Sequence, residues 1–253
     1  MTSPETLPRL DWTLAAPSFV LPGTVAENCR FLEGKVREVG ITLFETKACL
    51  DYTREDLPPD LAGLDLDYHV HLPLDLPWSE GADHVWELVA ALLNKTVYLN
   101  PKSFVLHPPK SPTLFANFIF HWLEAGFEPS RLFLENTPEN DLVSQARSMA
   151  AYGCRFCLDL GHLLAHGQHD LLRQPGVAGN IGMLHLYSPG PEKDSHRHES
   201  LGFLDDTGKQ VLQSLLSLIP GDCVLMLEVF DWKGVLESGR VLASWLNEWE
   251  EMV

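Results

Sequence analysis

The sequence predicts an α/β fold, a single (β/α)8 TIM barrel spanning residues 1–253. Three observations predict it. Short apolar runs alternate with longer segments of helical spacing, as in folds built from βα units. Eight such runs can be counted, and eight units in about 250 residues is the usual size of this barrel. The first run, Ser18-Phe19-Val20-Leu21-Pro22-Gly23, carries no G-x-G-x-x-G turn, which counts against a doubly wound dinucleotide-binding sheet. No linker or low-complexity tract divides the chain, so one domain is expected.

The expected strands run from Ser18 to Val20, Ile41 to Glu45, Tyr68 to Leu72 and Phe104 to His107. They continue from Leu132 to Glu135, Arg155 to Asp159, Met183 to Leu186 and Val224 to Val229. Each is a continuous apolar run, the pattern of a strand buried on both faces. Between them, Val85, Leu88, Val89 and Leu92 fall on one helical stripe. So do Leu212, Leu215, Leu216 and Ile219, and near the end Leu242, Trp245, Leu246 and Trp249. Ser111-Pro112 offers an N-cap followed by a first-turn proline.

Composition narrows the class of function. Of 253 residues 45% are hydrophobic, enough for a full core, and 18 basic against 35 acidic side chains give a formal charge of −17. Such a surface repels polyphosphate backbones and counts against a nucleic-acid partner. No apolar run approaches the ~18 residues that span a bilayer. Met1-Thr2-Ser3-Pro4-Glu5 lacks the basic and apolar stretches of a signal peptide, and five cysteines fit no disulfide framework. A reduced, cytoplasmic setting is therefore expected. Cys154 and Cys157 lie three apart along one expected strand, face opposite ways and read as structural.

The informative regularity is how the strands end. Successive apolar runs terminate in His71, His107, Glu135, Asp159, His185 and Glu228. In a parallel barrel all strand carboxyl ends meet at one face, where active sites sit. Three carboxylates gathered without a cation would repel one another, and imidazole with carboxylate suits zinc, with manganese as the other candidate. His162 follows Asp159 by three residues and can turn back over the rim. His196 and His198 lie in the long interval between His185 and Glu228, as an inserted ligand-bearing loop would. His69 shares a strand face with His71 and leaves that ligand assignment ambiguous; His71 is preferred as nearer the strand's end.

The pattern resembles the xylose isomerase-like barrels, and within them the endonuclease IV type of apurinic-site endonuclease. Val105-Leu106-His107-Pro108, Leu134-Glu135-Asn136-Thr137, Leu158-Asp159-x-x-His162, His185-Leu186, the His-rich Ser-Leu-Gly loop and Leu227-Glu228 carry the resemblance. It implies a divalent-metal centre of two or three zinc ions. One ion would take His71, His107 and Glu135, with Glu135 bridging to a second on Asp159, His185 and Glu228. A third would take His162, His196 and His198. The family loop reads Asp-x-His where this chain has His196-Arg197-His198, which removes one negative charge from the third set.

A narrower likeness, in Ala16-Pro17-Ser18-Phe19-Val20-Leu21-Pro22-Gly23 and His69 to Trp78, is to the cobamide-remodelling phosphodiesterases called CbiR. The expected function is thus metal-dependent hydrolysis of a phosphoester in a small molecule, the nucleotide loop of a corrinoid. Glu135 and Glu228 are the expected catalytic groups, and Asp75, Trp78 and Tyr187 the expected substrate contacts. The alternatives are abasic-site DNA cleavage and single-metal sugar isomerisation or epimerisation. A non-enzymatic corrinoid-binding or metal-storage role is the reading from outside these classes. The sequence does not indicate an oligomeric state.

Overall fold

The structure is a computed structural model and describes residues 6–193 and 197–251. Eight parallel strands pair in sequence order: β1 (Thr13–Pro17), β2 (Glu38–Thr42), β3 (Asp67–His71), β4 (Phe104–Leu106), β5 (Leu132–Glu135), β6 (Arg155–Asp159), β7 (Ile181–Leu186) and β8 (Val224–Leu227). The last pairs with the first, Leu14 opposite Leu225, and the barrel is closed. The strands are followed in turn by α1 (Val25–Leu32), α2 (Thr46–Leu50), α3 (Ala82–Thr96), α4 (Pro112–Glu124), α5 (Ala146–Ala151), α6 (Leu160–His166), α7 (Asp206–Leu218) and α8 (Trp232–Glu251). This is the predicted (β/α)8 barrel. Among the described residues no helix is long and apolar enough to cross a membrane.

The expected helical stripes pack inward. Val85, Val89 and Leu92 of α3, Leu212, Leu215 and Leu216 of α7, and Leu242 and Trp245 of α8 are buried against the sheet. Ser111 caps α4, its hydroxyl accepting from Leu114 N at 3.3 Å, with Pro112 in the first turn. Because successive strand residues face opposite ways, the barrel has two apolar regions. Val39, Val70, Leu106, Leu134, Leu158, Leu184 and Leu225 join the helices outside. Ala15, Val105, Phe133, Cys157, Met183 and Met226 fill the interior. Cys154 belongs to the outer core and Cys157 to the inner one, so the two thiols are on opposite sides of the sheet.

The inner layer fixes the location of the site. One step of two residues beyond Val105, Phe133, Cys157, Met183 and Met226 come His107, Glu135, Asp159, His185 and Glu228. The alternation that points the first set into the barrel points the second set into its mouth.

Two expected strands are corrected. β1 is Thr13–Pro17 rather than Ser18 to Val20, and β2 is Glu38–Thr42 rather than Ile41 to Glu45. In β1 the interior needs a small residue at Ala15 and the outer face carries Ala16, so two poor strand formers lie in the sheet while Phe19 and Val20 lie beyond it. In β2 a glutamate and a glycine disguise a buried strand. Glu38, 1% exposed, accepts from His69 Nδ1 at 2.7 Å, and Gly40 leaves room for that imidazole. A Cβ on Gly40 would meet His69 Nε2 at 2.5 Å and the Met226 methyl at 2.9 Å.

Gly40→Ala should therefore overpack the interior and destabilise the fold by about 1–3 kcal/mol. Urea unfolding measures it; an unchanged midpoint would contradict the packing described.

Candidate metal centre

Six strands deliver side chains to one end of the barrel. Glu135 stands at the centre and is 2% exposed. His71 Nε2 and His107 Nε2 converge on its Oε2 at 2.9 and 3.1 Å. Its other oxygen, Oε1, lies 3.3 Å from His185 Nδ1 and 4.0 Å from His162 Nδ1. One carboxylate thus presents an oxygen to each of two sets of imidazoles. His185 Nδ1 is also 3.3 Å from Glu228 Oε2 and 4.0 Å from Asp159 Oδ2.

Three imidazoles are held in one orientation by the backbone. His71 Nδ1 donates to Leu72 O, His162 Nδ1 to Asn136 O and His198 Nδ1 to Glu228 O, each at 2.8 Å. A carbonyl can only accept, so each Nδ1 carries a proton, and for His71 this leaves Nε2 to face Glu135 Oε2. This outer bond is the usual partner of a metal-ligating histidine. Between His71 Nε2 and Glu135 Oε2, at 2.9 Å, a proton or a cation must lie.

Local structure supports each piece. Asp159 caps α6, its Oδ1 accepting from His162 N at 2.6 Å, which folds His162 back over the rim. An antiparallel bridge, Ser188 N to Glu199 O and Glu199 N to Ser188 O, returns the chain so that His198 reaches the mouth. The Tyr187 ring stacks on His198 at 3.9 Å between centroids. Asn136, fully buried, accepts from Asp159 N and donates to Asp159 O and Gln168 Oε1. Asn136 was not foreseen from the sequence as a site residue; only its position directly after Glu135 marks it.

The charges are strained without compensation. Burial works to raise the Glu135 carboxyl, yet His185 and His107 hold it well below its ordinary range. Burial pushes Asp159 up to about 6, against the pull of His162 and with the push of Glu135 and Glu228. Glu228 is likewise penalised by burial but held at about 2 by His185 and His198. Burial disfavours a charged His185, and the Cys157 thiol with Glu228 and Glu135 raises it well above its usual value. Among the described residues, Asp159 Oδ2 and both ring nitrogens of His185 are buried with no aligned hydrogen-bond partner. Buried polar atoms are rarely left so.

Three overlapping groups have ligand atoms within 4.8 Å of one another: His71, Glu135 and His185; Glu135, Asp159 and His162; Asp159, His185 and Glu228. The orphaned atoms and the donor set fit divalent cations of the zinc or manganese type. His107 and His198 border the same cluster, while His196 lies outside the described residues. The structure brings His71 to the cluster and not His69, which pairs with Glu38 in the layer beneath.

The three expected substrate contacts are placed differently. Tyr187 is 0% exposed, with Gly161 leaving space for its ring, which stacks on His198 while its side chain hydrogen-bonds with Asp159. Trp78 Nε1 donates to His107 O at 3.2 Å, and its ring packs on Phe118, so it steadies His107. Asp75 Oδ1 accepts from Thr46 N and Oγ1, both at 2.7 Å, tying α2 to the loop after β3. An aromatic arc on this rim has no counterpart in the sequence pattern. Phe19, Phe44 and Phe230, from the loops after β1, β2 and β8, touch in series at 5.0 and 5.7 Å, and Phe230 meets His198 at 4.9 Å.

Comparison with protein-family models and with curated proteins finds no match. Among solved structures, the chain is similar to a D-tagatose 3-epimerase-like protein, with TM-score 0.71 and 17% identity over 95% of this chain and 99% of that one. It is similar to endonuclease IV from Thermus thermophilus, with TM-score 0.70 and 19% identity over 93% and 99%. An L-ribulose 3-epimerase gives TM-score 0.64 and 15% identity over 95% and 96%. At these identities the likeness shows the fold, a (β/α)8 barrel, over nearly the whole chain.

Asp159 supplies a test in the metal-stripped protein. A carboxyl raised to about 6 in the fold favours folding below its ordinary value near 3.8, and that contribution is lost as pH rises through 6. Asp159→Asn should then raise the melting temperature of chelator-treated protein at pH 8, by about 2–4 °C per kcal/mol recovered, with a smaller gain at pH 5. Calorimetry checks it; a lower melting temperature at pH 8 would contradict the crowding of charge.

Proposed function

We propose that the chain is a metal-dependent phosphodiesterase acting on a bulky small molecule, with the nucleotide loop of a cobamide as its candidate substrate. The observation that carries the reading is the donor set, which forms three overlapping groups rather than one. One set would be His71, His107 and Glu135, a second Glu135, Asp159, His185 and Glu228, and a third His162 and His198 with His196. Bound there, two or three zinc ions, or manganese, would supply positive charge against phosphoryl oxygens and acidify water towards neutral pH.

The chain's own residues do the rest. Glu135 offers one oxygen to each neighbouring set and holds them in fixed relation. Glu228, 7% exposed against 2% for Glu135 and 0% for Asp159, is the carboxylate nearest solvent and the one suited to exchange a proton with incoming water. The Nδ1 bonds of His71, His162 and His198 hold the three rings in place as charge redistributes, and for His71 the bond keeps Nε2 on Glu135. Phe19, Phe44 and the 37% exposed Phe230 give the rim an apolar side against which a flat, bulky substrate would rest.

Two other readings have specific support. Endonuclease IV shares the fold, but a chain of charge −17 offers little footprint for a phosphate backbone. The epimerases also share it, and Glu135, Asp159, His185 and Glu228 alone would hold one cation for such chemistry. That reading leaves His71, His107, His162 and His198 without a task.

Metal-loaded protein incubated with a cobamide should release its nucleoside, followed by chromatography and by the corrinoid absorbance. Glu135→Gln and Glu228→Gln should slow this by on the order of 100-fold or more, and His107→Ala should slow it as well. Intact corrinoid would reject the substrate. Cleavage of abasic duplex at low salt would favour the endonuclease, and epimerisation of a ketose indifferent to His107→Ala the single-metal enzyme.

A further inference from the structure

A second concavity lies beside the cluster, among the loops after β4, β5 and β6. It has a volume of about 480 Å³ and is lined by Lys110, Glu139, Asp141, Ser144, Gln145 and Gln168, with Pro138, Asn140 and His166 completing the wall. That size is within the ~300–1,000 Å³ of small-molecule sites, although its lining is far more polar than most.

Its wall is built rather than incidental. Asn140 donates to Pro108 O and Gln145 Nε2 to Pro109 O, so two buried amides bind the loop after β5 to the two residues that follow His107. Gln168 donates to Thr137 O and accepts from Asn136, the residue that orients Asp159 and His162. Within the loop, Leu142 is fully buried with φ of +61°, a left-handed conformation costing a leucine about 1–2 kcal/mol. Asn140 Oδ1, accepting from Leu142 N at 3.2 Å, helps to hold it there. Such strain persists where the surroundings over-determine it.

Of the three buried amides in this wall, Asn140 and Gln168 have both side-chain ends bonded. Gln145, 2% exposed, has its Nε2 bonded and its Oε1 without a partner among the described residues. An unmet buried acceptor is destabilising until a donor reaches it. Glu139 and Asp141 add two more acceptors to the groove, against the single cation of Lys110. The groove therefore calls for a ligand rich in O–H or N–H donors and without negative charge.

We propose that this groove is a second substrate subsite that takes an uncharged sugar ring, presenting its hydroxyls to Gln145 Oε1, Glu139 and Asp141. The subsite gives the proposed phosphoester substrate a glycosyl or ribosyl portion next to the metal rim. It rests on the phosphodiesterase reading only for what becomes of that portion after binding.

The test is a titration of the metal-loaded protein, its glutamine side chains labelled with ¹⁵N, by adenosine, methyl riboside and inorganic phosphate in turn. The Gln145 amide signal, assigned by its loss in Gln145→Met, should shift saturably with both ribosides and not with phosphate. Ser144→Tyr, on the exposed lip, should weaken riboside binding about tenfold or more, with metal content unchanged. It should also raise KM for a nucleoside-bearing phosphodiester without changing turnover of bis(4-nitrophenyl) phosphate, which has no sugar. Absence of a saturable shift with either riboside, or a shift with phosphate alone, would overturn the subsite. Failure of both diesters to be hydrolysed, with the riboside shift intact, would reject the phosphodiesterase reading and leave the subsite standing.

Discussion

Three carboxylates are taken out of water at one end of this barrel, and the rest of the site answers to that constraint. Removing an ion from water costs several kcal/mol even after relaxation, and Glu135, Asp159 and Glu228 sit within reach of the same His185 ring. Protonated imidazoles can offset part of this, as the raised His162 and His185 indicate. Protonating every histidine around Glu135 would only replace one crowd of like charges with another. A few compact divalent ions would resolve both problems together.

The architecture makes this arrangement dependable. Parallel strands bring their carboxyl ends to one face, and a two-residue alternation places a histidine or carboxylate directly above five of the six members of an apolar plug. Beneath the ligands the interior is not uniformly apolar, since Glu38 and His69 pair there in a space that Gly40 keeps open. Above them the rim is two-sided. Phenylalanines line the side of β1, β2 and β8, and hydrogen-bonding groups line the side of β4 to β6. A substrate with an apolar body and a hydroxylated end would use both.

Much of this was legible in the sequence where local pattern and tertiary role coincide. β5 and β6 begin and end where their apolar runs do, because both faces of those strands are buried and a charged residue closes each. That the side chains from His71 to Glu228 gather at one end of the barrel followed from strand-end position. β1 and β2 were misplaced because interior packing selects Ala15 and Gly40 for smallness and Glu38 for a partner in another strand. Asn136 and the phenylalanine arc were not legible for a related reason. Their roles depend on which loops become neighbours when the barrel closes, and no spacing along the chain records that. Tyr187 looked like a rim residue from its place after β7, but the ring turns under His198 and is covered.

The central claim is that the mouth of the barrel binds several cations at once. Its most direct test is the metal content of purified protein loaded with zinc or manganese and freed of excess, measured by elemental analysis against protein concentration. Two or three ions per chain, falling when His71 or Glu135 is replaced, is the predicted result. A chain that retains none, or a single ion indifferent to His71, would contradict the account.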